Sequence, residues 1–174
     1  MDIRPAAQRP SRHELNKSFT KTAEANGFRW RVSNEAEREQ DIDFVIWRVS
    51  SKGPVDISAV SLKKTILRKS KKRKELWGWV EFHDRRGKPG WLFKKSTLVA
   101  FKRKNDFILL AKTDFKKWMD SGIIHWGKLA KSPWEARYRI FRRKGTLESI
   151  AQFKLNHAIS NCRHFKWKSN ERSS

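Results

Sequence analysis

DIDFVIWRVSSKGPVDISAVSLKK, residues 41–64, contains the strongest strand and turn signals of the sequence. Residues 43–49 are almost entirely apolar after the first position, which predicts a central β-strand. The Ser-Ser-Lys-Gly-Pro segment that follows has the composition of a turn, and residues 55–63 are then the returning strand. The stretch therefore predicts an antiparallel hairpin.

The open end of this hairpin, where its first strand begins and its second strand ends, brings charged side chains together. With the turn centred on residues 52–53, Asp43 at the start of one strand lies opposite residues 61–63 at the end of the other. Antiparallel neighbours are about 5 Å apart, so we expect Asp43 and Lys63 to share a site. Asp41 competes with Asp43 for this place, because side chains alternate along a strand and only one of the two can face the site.

The elements on both sides of the hairpin predict the fold class. Upstream, Ser11 and Glu14 have the spacing of a capping box, and the apolar residues that follow recur every four positions, which predicts a helix. Downstream, further strands are followed by predicted helices at 113–120, 146–155 and 157–168. We therefore expect an α+β fold, with a mixed β-sheet of five to six strands flanked by helices and a small basic helical C-terminal extension. The predicted divisions are a flexible arm (1–10), a core (11–121), the basic extension (122–168) and a disordered tail (169–174).

The charge distribution limits the class of partner. The chain has 174 residues, with 41 Lys and Arg against 18 Asp and Glu, for a formal net charge of +23. Residues 1–43 hold equal numbers of basic and acidic side chains, so the whole excess belongs to residues 44–174. Self-repulsion of this size is tolerated most readily beside a polyanion, and lysine and arginine bind nucleic acid by displacing its counterions. We therefore expect a nucleic-acid partner, DNA rather than RNA, and no membrane partner.

Other classes of protein are excluded by what the sequence lacks. It has no run of 18 apolar residues, so no membrane span is predicted, and its N-terminal segment has no apolar stretch typical of a signal peptide. A single cysteine, Cys162, rules out an internal disulfide. These features indicate a cytoplasmic protein, in the cytoplasm of a bacterial host if a phage encodes it.

Carboxylates near Lys63 indicate a specific chemistry. Glu81 lies on a predicted strand that we expect to pair beside the hairpin, and Glu14 on the first helix is placed to close the same corner. Carboxylates hold Mg²⁺, the metal activates water and neutralises charge on a phosphate, and a lysine stabilises the transition state. This set suits metal-dependent phosphodiester cleavage. Each residue also has a simpler alternative: a helix cap for Glu14, a surface ion pair for Glu81 and a phosphate contact for Lys63.

The order of these residues resembles that of the restriction-endonuclease-like, or PD-(D/E)xK, nucleases, which include Holliday junction resolvases and many small phage proteins. The resemblance covers residues 11–120. It rests on the opening helix with Glu14, the segment Asp41-Ile-Asp43 and the hairpin end Ser61-Leu-Lys63. The segment WVEFHDRRGKPGWLFKKSTLVAF, residues 79–101, also looks like a recurrent pattern of phage proteins.

The resemblance implies a Mg²⁺-dependent DNA endonuclease of phage type that acts as a homodimer. By the same resemblance Lys63, Glu81 and Asp43 are catalytic, while Asp43, Glu81 and Glu14 hold the metal. The sequence departs from the motif at Ser61, where the family has Asp or Glu two residues before the lysine. Either Glu81 on the adjacent strand supplies the missing carboxylate, or the site is degenerate and the protein is a DNA- or RNA-binding module that does not cut.

Basic runs between the strands are the predicted nucleic-acid contacts. Residues 63–74 hold eight basic side chains and no acid, a composition suited to following a phosphate backbone. Trp77, Trp79 and Trp91 lie beside basic runs and are either core residues or platforms for unpaired bases. The predicted contact residues are Lys64, Arg68, Lys69, Lys71, Lys72, Arg73, Lys74, Arg85, Arg86, Lys88, Lys94, Lys95, Arg142 and Arg143.

Overall fold

The computed structural model describes residues 11–69 and 74–168, except for the side chain of Lys69. The arm predicted at 1–10, the basic residues Lys71, Lys72 and Arg73, and the tail predicted at 169–174 lie outside the described residues. The described part of the chain is α+β, as expected, and none of its helices is both long and apolar enough to cross a membrane. Its α-helices are α1 (Arg12–Ala25), α2 (Glu35–Glu39), α3 (Lys112–Trp118) and α4 (Leu155–Asn161).

Six strands form the first sheet. In chain order they are β1 (Arg29–Val32), β2 (Phe44–Ser50), β3 (Gly53–Lys63), β6 (Leu98–Lys102), β7 (Asp106–Ala111) and β11 (His164–Lys168). Their order across the sheet is β1-β2-β3-β6-β7-β11. Neighbours are antiparallel except β3 and β6, which run parallel. A parallel pair needs a long crossover connection, and here the chain makes it through a second sheet.

The predicted hairpin is present as β2 and β3. The turn lies at residues 51–52, slightly earlier in the chain than expected. Opposite Trp47, β3 carries an extra residue that forms a β-bulge, and Asp56 in this bulge has a φ of 54°. The bulge shifts the register, so that Phe44 lies opposite Val60 at the open end of the hairpin.

Five strands form the second sheet. They are β4 (Thr65–Lys69), β5 (Lys74–His83), β8 (His125–Leu129), β9 (Arg139–Arg142) and β10 (Ser149–Lys154), in the order β4-β5-β10-β9-β8. Only Lys64 separates the end of β3 from the start of β4. The two sheets therefore share a nearly continuous strand.

The side chains of β6 and β7 point alternately to the two faces of the first sheet, and each face packs into a separate part of the core. Ala100 and Leu109 point to one face, where they pack with Phe19 of α1. Phe101 and Ile108 point to the other face, where they pack against the second sheet, α3 and α4. The first sheet is therefore a middle layer, with α1 on one side and the second sheet on the other.

The structure differs from the predicted fold at two points. The strands form two sheets, not one sheet of five to six strands. The basic extension is also not purely helical: β10 replaces the helix predicted at 146–155, and the segment after it forms α4 and then β11. β10 is a strand because β5 pairs with it on one side and β9 on the other, while Ala151 and Phe153, two residues apart, enter the same core.

Candidate functional site

An ion pair between Asp41 and Lys63 is the centre of the candidate site. The Lys63 Nζ lies 2.6 Å from Asp41 Oδ1, and the Ser61 hydroxyl donates to Asp41 Oδ2 at 2.6 Å. Both side chains of the ion pair are about one-fifth exposed (19% for Lys63 and 21% for Asp41). The Lys63 Nζ also lies 5.1 Å from the ring centroid of Trp91, within the range of a cation–π contact.

Strand alternation explains why Ser61 and Lys63 meet the same carboxylate. Val60 and Leu62 of β3 point into the core beneath α1, so Ser61 and Lys63 point to the opposite face. Asp41 reaches that face from the segment between α2 and β2, where it has a left-handed φ of 57°. Aspartate tolerates this conformation better than most residues.

Glu81 brings a second carboxylate to Lys63. It lies on β5 of the second sheet and accepts a hydrogen bond from the Trp91 backbone N–H. Burial raises the pKa of Glu81, the nearby Lys63 ammonium opposes that rise, and Asp41 and Glu148 add to it. Trp91 therefore links the two groups, because its backbone binds Glu81 while its ring lies beside Lys63.

Gly90 allows the turn after β5 to pack closely against the backbone of Glu81. A Cβ at Gly90 would lie 2.3 Å from the Glu81 carbonyl oxygen and 2.8 Å from Glu81 Cγ, well inside van der Waals contact. The Gly90 N–H donates to the Phe82 carbonyl at 2.8 Å. The turn after β5 therefore packs directly on the strand that carries Glu81.

A buried lysine completes the group. Lys112 is 5% exposed and donates to the Lys94 carbonyl at 2.6 Å and to Ser96 Oγ at 2.9 Å. Burial lowers its pKa to about 8, and the charges of Asp41 and Lys63 also act on it, in opposite directions. We call this group of four side chains, Asp41, Lys63, Glu81 and Lys112, the acid–lysine cluster. Lys112 also lines an open cavity of about 390 Å³ with Lys94, Lys95 and Lys116.

Asp43 lies apart from Lys63. One carboxylate oxygen pairs with the Arg12 guanidinium of α1, and the other accepts from the Leu62 backbone N–H at 2.6 Å. Arg12 also donates to the Leu62 carbonyl at 3.0 Å. The expected pairing of Asp43 with Lys63 is thus replaced by Asp41 with Lys63, and Asp43 instead ties α1 to the end of β3.

Glu14 forms the predicted capping box. Its side chain accepts from the Ser11 N–H at 2.6 Å, and its own N–H donates to the Ser11 hydroxyl at 3.1 Å. The backbone hydrogen bond from Ser11 lowers the pKa of Glu14. Glu14 is exposed, and its recorded contacts are those of a helix cap.

Few side chains near Lys63 are available to bind a metal ion. In residues 11–69 and 74–168, no three or more His, Cys, Asp or Glu side chains are grouped so that they could hold a metal ion. Asp41 and Glu81 are the two carboxylates that flank Lys63. Mg²⁺ is commonly bound through one or two carboxylates, with water and substrate phosphate completing its shell, so Asp41 and Glu81 match such an ion in the type and number of their ligands.

The predicted nucleic-acid contacts fall into several surface groups. Lys64 and Lys74 line a groove of about 560 Å³ with Lys102, Arg103 and Lys104. Arg85 and Arg143 both approach Glu148, at 3.9 and 2.7 Å. Lys94 donates to the Glu39 carbonyl at 3.0 Å. Arg86, Lys88, Lys95 and Arg142 are exposed, and Arg68 is half-buried in the second sheet.

Burial decides between the two alternatives for the tryptophans, core residue or stacking platform. Trp77 and Trp91 are buried, at 3% and 7% exposure, and Trp79 is half-buried. Trp126 and Trp134 are about half exposed, at 49% and 53%. Pro133 beside Trp134 marks a connecting segment, which is the sequence signal that could have distinguished this ring from a core residue, whereas Trp126 lies on the exposed strand β8.

No protein-family model, curated protein or solved structure matches this chain.

Proposed function

We propose that this protein binds DNA and cleaves it in a Mg²⁺-dependent reaction at the acid–lysine cluster. The observation that carries the proposal is the convergence of two carboxylates on the ammonium of Lys63: Asp41 from the segment before β2, and Glu81 from β5 of the second sheet. The resemblance to restriction-endonuclease-like nucleases supports the same assignment, with Asp41 in the place expected for Asp43. In this assignment Glu81 supplies the carboxylate that the family motif has at the position of Ser61.

The side chains have distinct roles in this proposal. Asp41 and Glu81 would hold the ion, which supplies an activated water and neutralises charge on the phosphate when bound. Lys63 would then donate to a phosphate oxygen and stabilise the negative charge that develops there. Because a raised pKa keeps Glu81 protonated at a higher pH than an ordinary carboxyl group, cleavage should increase as the pH rises through the acidic range.

The surrounding cations would hold the strand. Lys94, Lys95 and Lys116 line the cavity that Lys112 borders, on the side of the cluster formed by α3. Phosphate contacts of this kind position a nucleic acid without reading its sequence. The excess positive charge of residues 44–174 supports this arrangement.

A second candidate function is nucleic-acid binding without cleavage, to DNA or RNA. It is favoured by the present partners of Asp41, since Lys63 and Ser61 engage its two oxygens and thereby compete with a metal ion. Such a module would retain the basic surface and bind equally well in EDTA.

A nuclease assay with a parallel binding assay tests both candidates. The wild type and the variants Asp41→Asn, Glu81→Gln and Lys63→Met are incubated with duplex, single-stranded and four-way DNA over a range of Mg²⁺ concentrations. Asp56→Asn is the control, because Asp56 is an exposed acid on the same strand as Lys63. Loss of an oxyanion-stabilising or metal-binding group should reduce the cleavage rate at least about 100-fold, with no change in Asp56→Asn.

The outcomes separate the two candidates. Cleavage by the wild type that is lost in all three cluster variants supports the nuclease. Tight binding in EDTA with no cleavage at any Mg²⁺ concentration supports the binding module. Equal cleavage by the wild type and by Asp41→Asn would contradict the assignment of the site.

A further inference from the structure

We propose that the outer face of the second sheet is a separate site that binds an unpaired nucleotide. The inference rests on the proposed nucleic-acid-binding function and specifies the structure of the nucleic acid that is bound. The site, called the Trp–Arg surface, consists of Trp77, Trp79, Trp134, Arg68 and Arg137. Trp77 and Trp79 alternate along β5 with residues that enter the core, so they lie on the face that points away from it, where Trp77 is itself buried and the Arg68 and Arg137 guanidinium groups lie over its ring.

Trp134 is an exposed, supported aromatic ring. It lies in a short 3₁₀ turn, Pro133–Glu135, and remains 53% exposed. Its ring packs edge-on against Trp79, with centroids 6.2 Å apart and an interplanar angle of 62°. A flat indole that is anchored on one edge and open to solvent is the kind of group on which unpaired bases stack.

Two guanidinium groups lie beside the rings. The Cζ of Arg68 is 5.5 Å from the centroid of Trp77 and 5.7 Å from that of Trp134. The Cζ of Arg137 is 5.8 Å from Trp77. Arg68 is fixed in place, because its Nη2 donates to the Trp134 carbonyl at 2.8 Å and also to the side-chain oxygen of Gln152.

An acid near these guanidinium groups, Glu75, is held mainly by another cation, although the charge of Arg137 also lowers its pKa. Within the described residues, neither Arg68 nor Arg137 forms an ion pair, and Glu75 is paired with Lys154 at 2.9 Å. The Arg68 Nε–H is buried without a hydrogen-bond partner in the described part of the chain. Burial and the charge of Arg137 lower the pKa of Arg68. A bound anion would relieve this repulsion between like charges.

Base stacking and anion binding together fit one nucleotide of a single strand. Its base would stack on Trp134, and its phosphate would lie against Arg68 and Arg137, which bind phosphate with planar donor groups. A base inside a duplex cannot present its face in this way. The surrounding segment is suited to such a strand, because residues 122–144 hold seven basic side chains and one acid, Glu135.

Fluorescence anisotropy in EDTA tests this inference. The probes are a labelled single strand of about 15 nucleotides, within the usual site size of such proteins, and a blunt duplex of the same sequence. The wild type is compared with Trp134→Ala and Arg137→Gln. Trp126→Ala is the matched control, because Trp126 is similarly exposed but packs against Phe82.

We expect Trp134→Ala to weaken single-strand binding by between about fivefold and 100-fold, with duplex binding changed less than about twofold. Arg137→Gln should weaken single-strand binding and reduce its salt dependence by about one phosphate contact. Equal loss on both probes, or an equal single-strand loss in Trp126→Ala, would overturn the Trp–Arg surface while leaving the proposed function standing. Failure of the wild type to bind either probe would overturn both.

Discussion

At the scale of single residues, Asp43 and Asp41 lie two positions apart but have different partners. Asp43 satisfies the Leu62 N–H and pairs with Arg12, so its contribution is to stability. Asp43→Ala should lower the free energy of unfolding by about 1–3 kcal/mol, because it leaves a partly buried donor and a cation without their acceptor. Urea denaturation measures this change. Asp120→Ala, which removes an exposed acid, should stay within about 0.5 kcal/mol of the wild type.

Gly90 tests whether the position of Glu81 matters. Gly90→Ala should lower the free energy of unfolding by about 1–3 kcal/mol, because the new Cβ would overlap the backbone of Glu81. It should also reduce cleavage by moving Glu81 away from Lys63. The control is Gly127→Ala, since a Cβ at Gly127 meets nothing within 4 Å. A Gly90→Ala protein as stable and active as the wild type would contradict the close packing described here.

Lys112 predicts a pH dependence of stability. Its pKa in the folded protein is about 8, against an ordinary value of 10.5, so between these values the unfolded chain holds more protons than the folded one. The free energy of unfolding should therefore rise with pH from 8 to 10.5, by about 3 kcal/mol at most. Denaturation across this range, compared with Lys112→Met, isolates the effect. The rise should be absent in the variant, and an identical pH profile would contradict the prediction.

The sequence predicts part of the site but not the choice between the two acids. Lys63 and Glu81 were both expected near the open end of the hairpin, but the expected pairing of the Glu81 strand beside the hairpin is wrong, because β5 pairs with β4 and β10 in the second sheet. Alternation along a strand could not assign Asp41, because Asp41 precedes β2 and has a left-handed backbone that turns its side chain independently of the strand. Lys112 gave no signal at all, since nothing in its flanking residues, Ala111 and Thr113, marks it as the lysine that becomes buried.

At the scale of elements, α1 depends on its capping box. Ser11 and Glu14 satisfy each other's backbone N–H groups, and the helix buries Leu15, Phe19 and Ala23 in the core. Ser11→Ala should lower the free energy of unfolding by about 1 kcal/mol. Urea denaturation measures this loss, and the dependence of the free energy of unfolding on urea concentration should keep the same slope. Thr20→Ala, a change within the same helix and away from its cap, is the control. A loss in Thr20→Ala equal to that in Ser11→Ala would argue against a specific capping effect.

The hairpin was predictable and β10 was not, for one physical reason. The apolar run of β2 and the turn residues after it determine a local structure, and these signals lie next to each other in the sequence. In residues 147–155 the apolar positions fit a helix equally well, and the backbone becomes a strand only because β5 and β9 lie on either side. Such long-range pairing leaves no local pattern.

At the scale of the whole molecule, the net charge of +23 predicts a strong effect of salt on binding. If six to ten phosphates are neutralised, affinity for DNA should fall by about 10³ to 10⁵ between 50 and 200 mM salt. Titrations by anisotropy at several salt concentrations give the slope. An affinity that does not change with salt would contradict nucleic-acid binding through this surface. The homodimer implied by the resemblance stays a prediction, which light scattering with and without DNA would check.

The strand shared by the two sheets has a consequence for how the molecule opens. Because β3 passes into β4 through Lys64 alone, neither sheet can separate from its neighbours without disturbing backbone hydrogen bonds of the other. Local fluctuations should therefore be confined to edge strands such as β1 and β8, while amide hydrogens of residues 60–63, at the end of the inner strand β3, exchange with solvent only when the entire domain unfolds. The pair of side chains at that junction, Lys63 and Asp41, would then be held in the most slowly exchanging part of the protein.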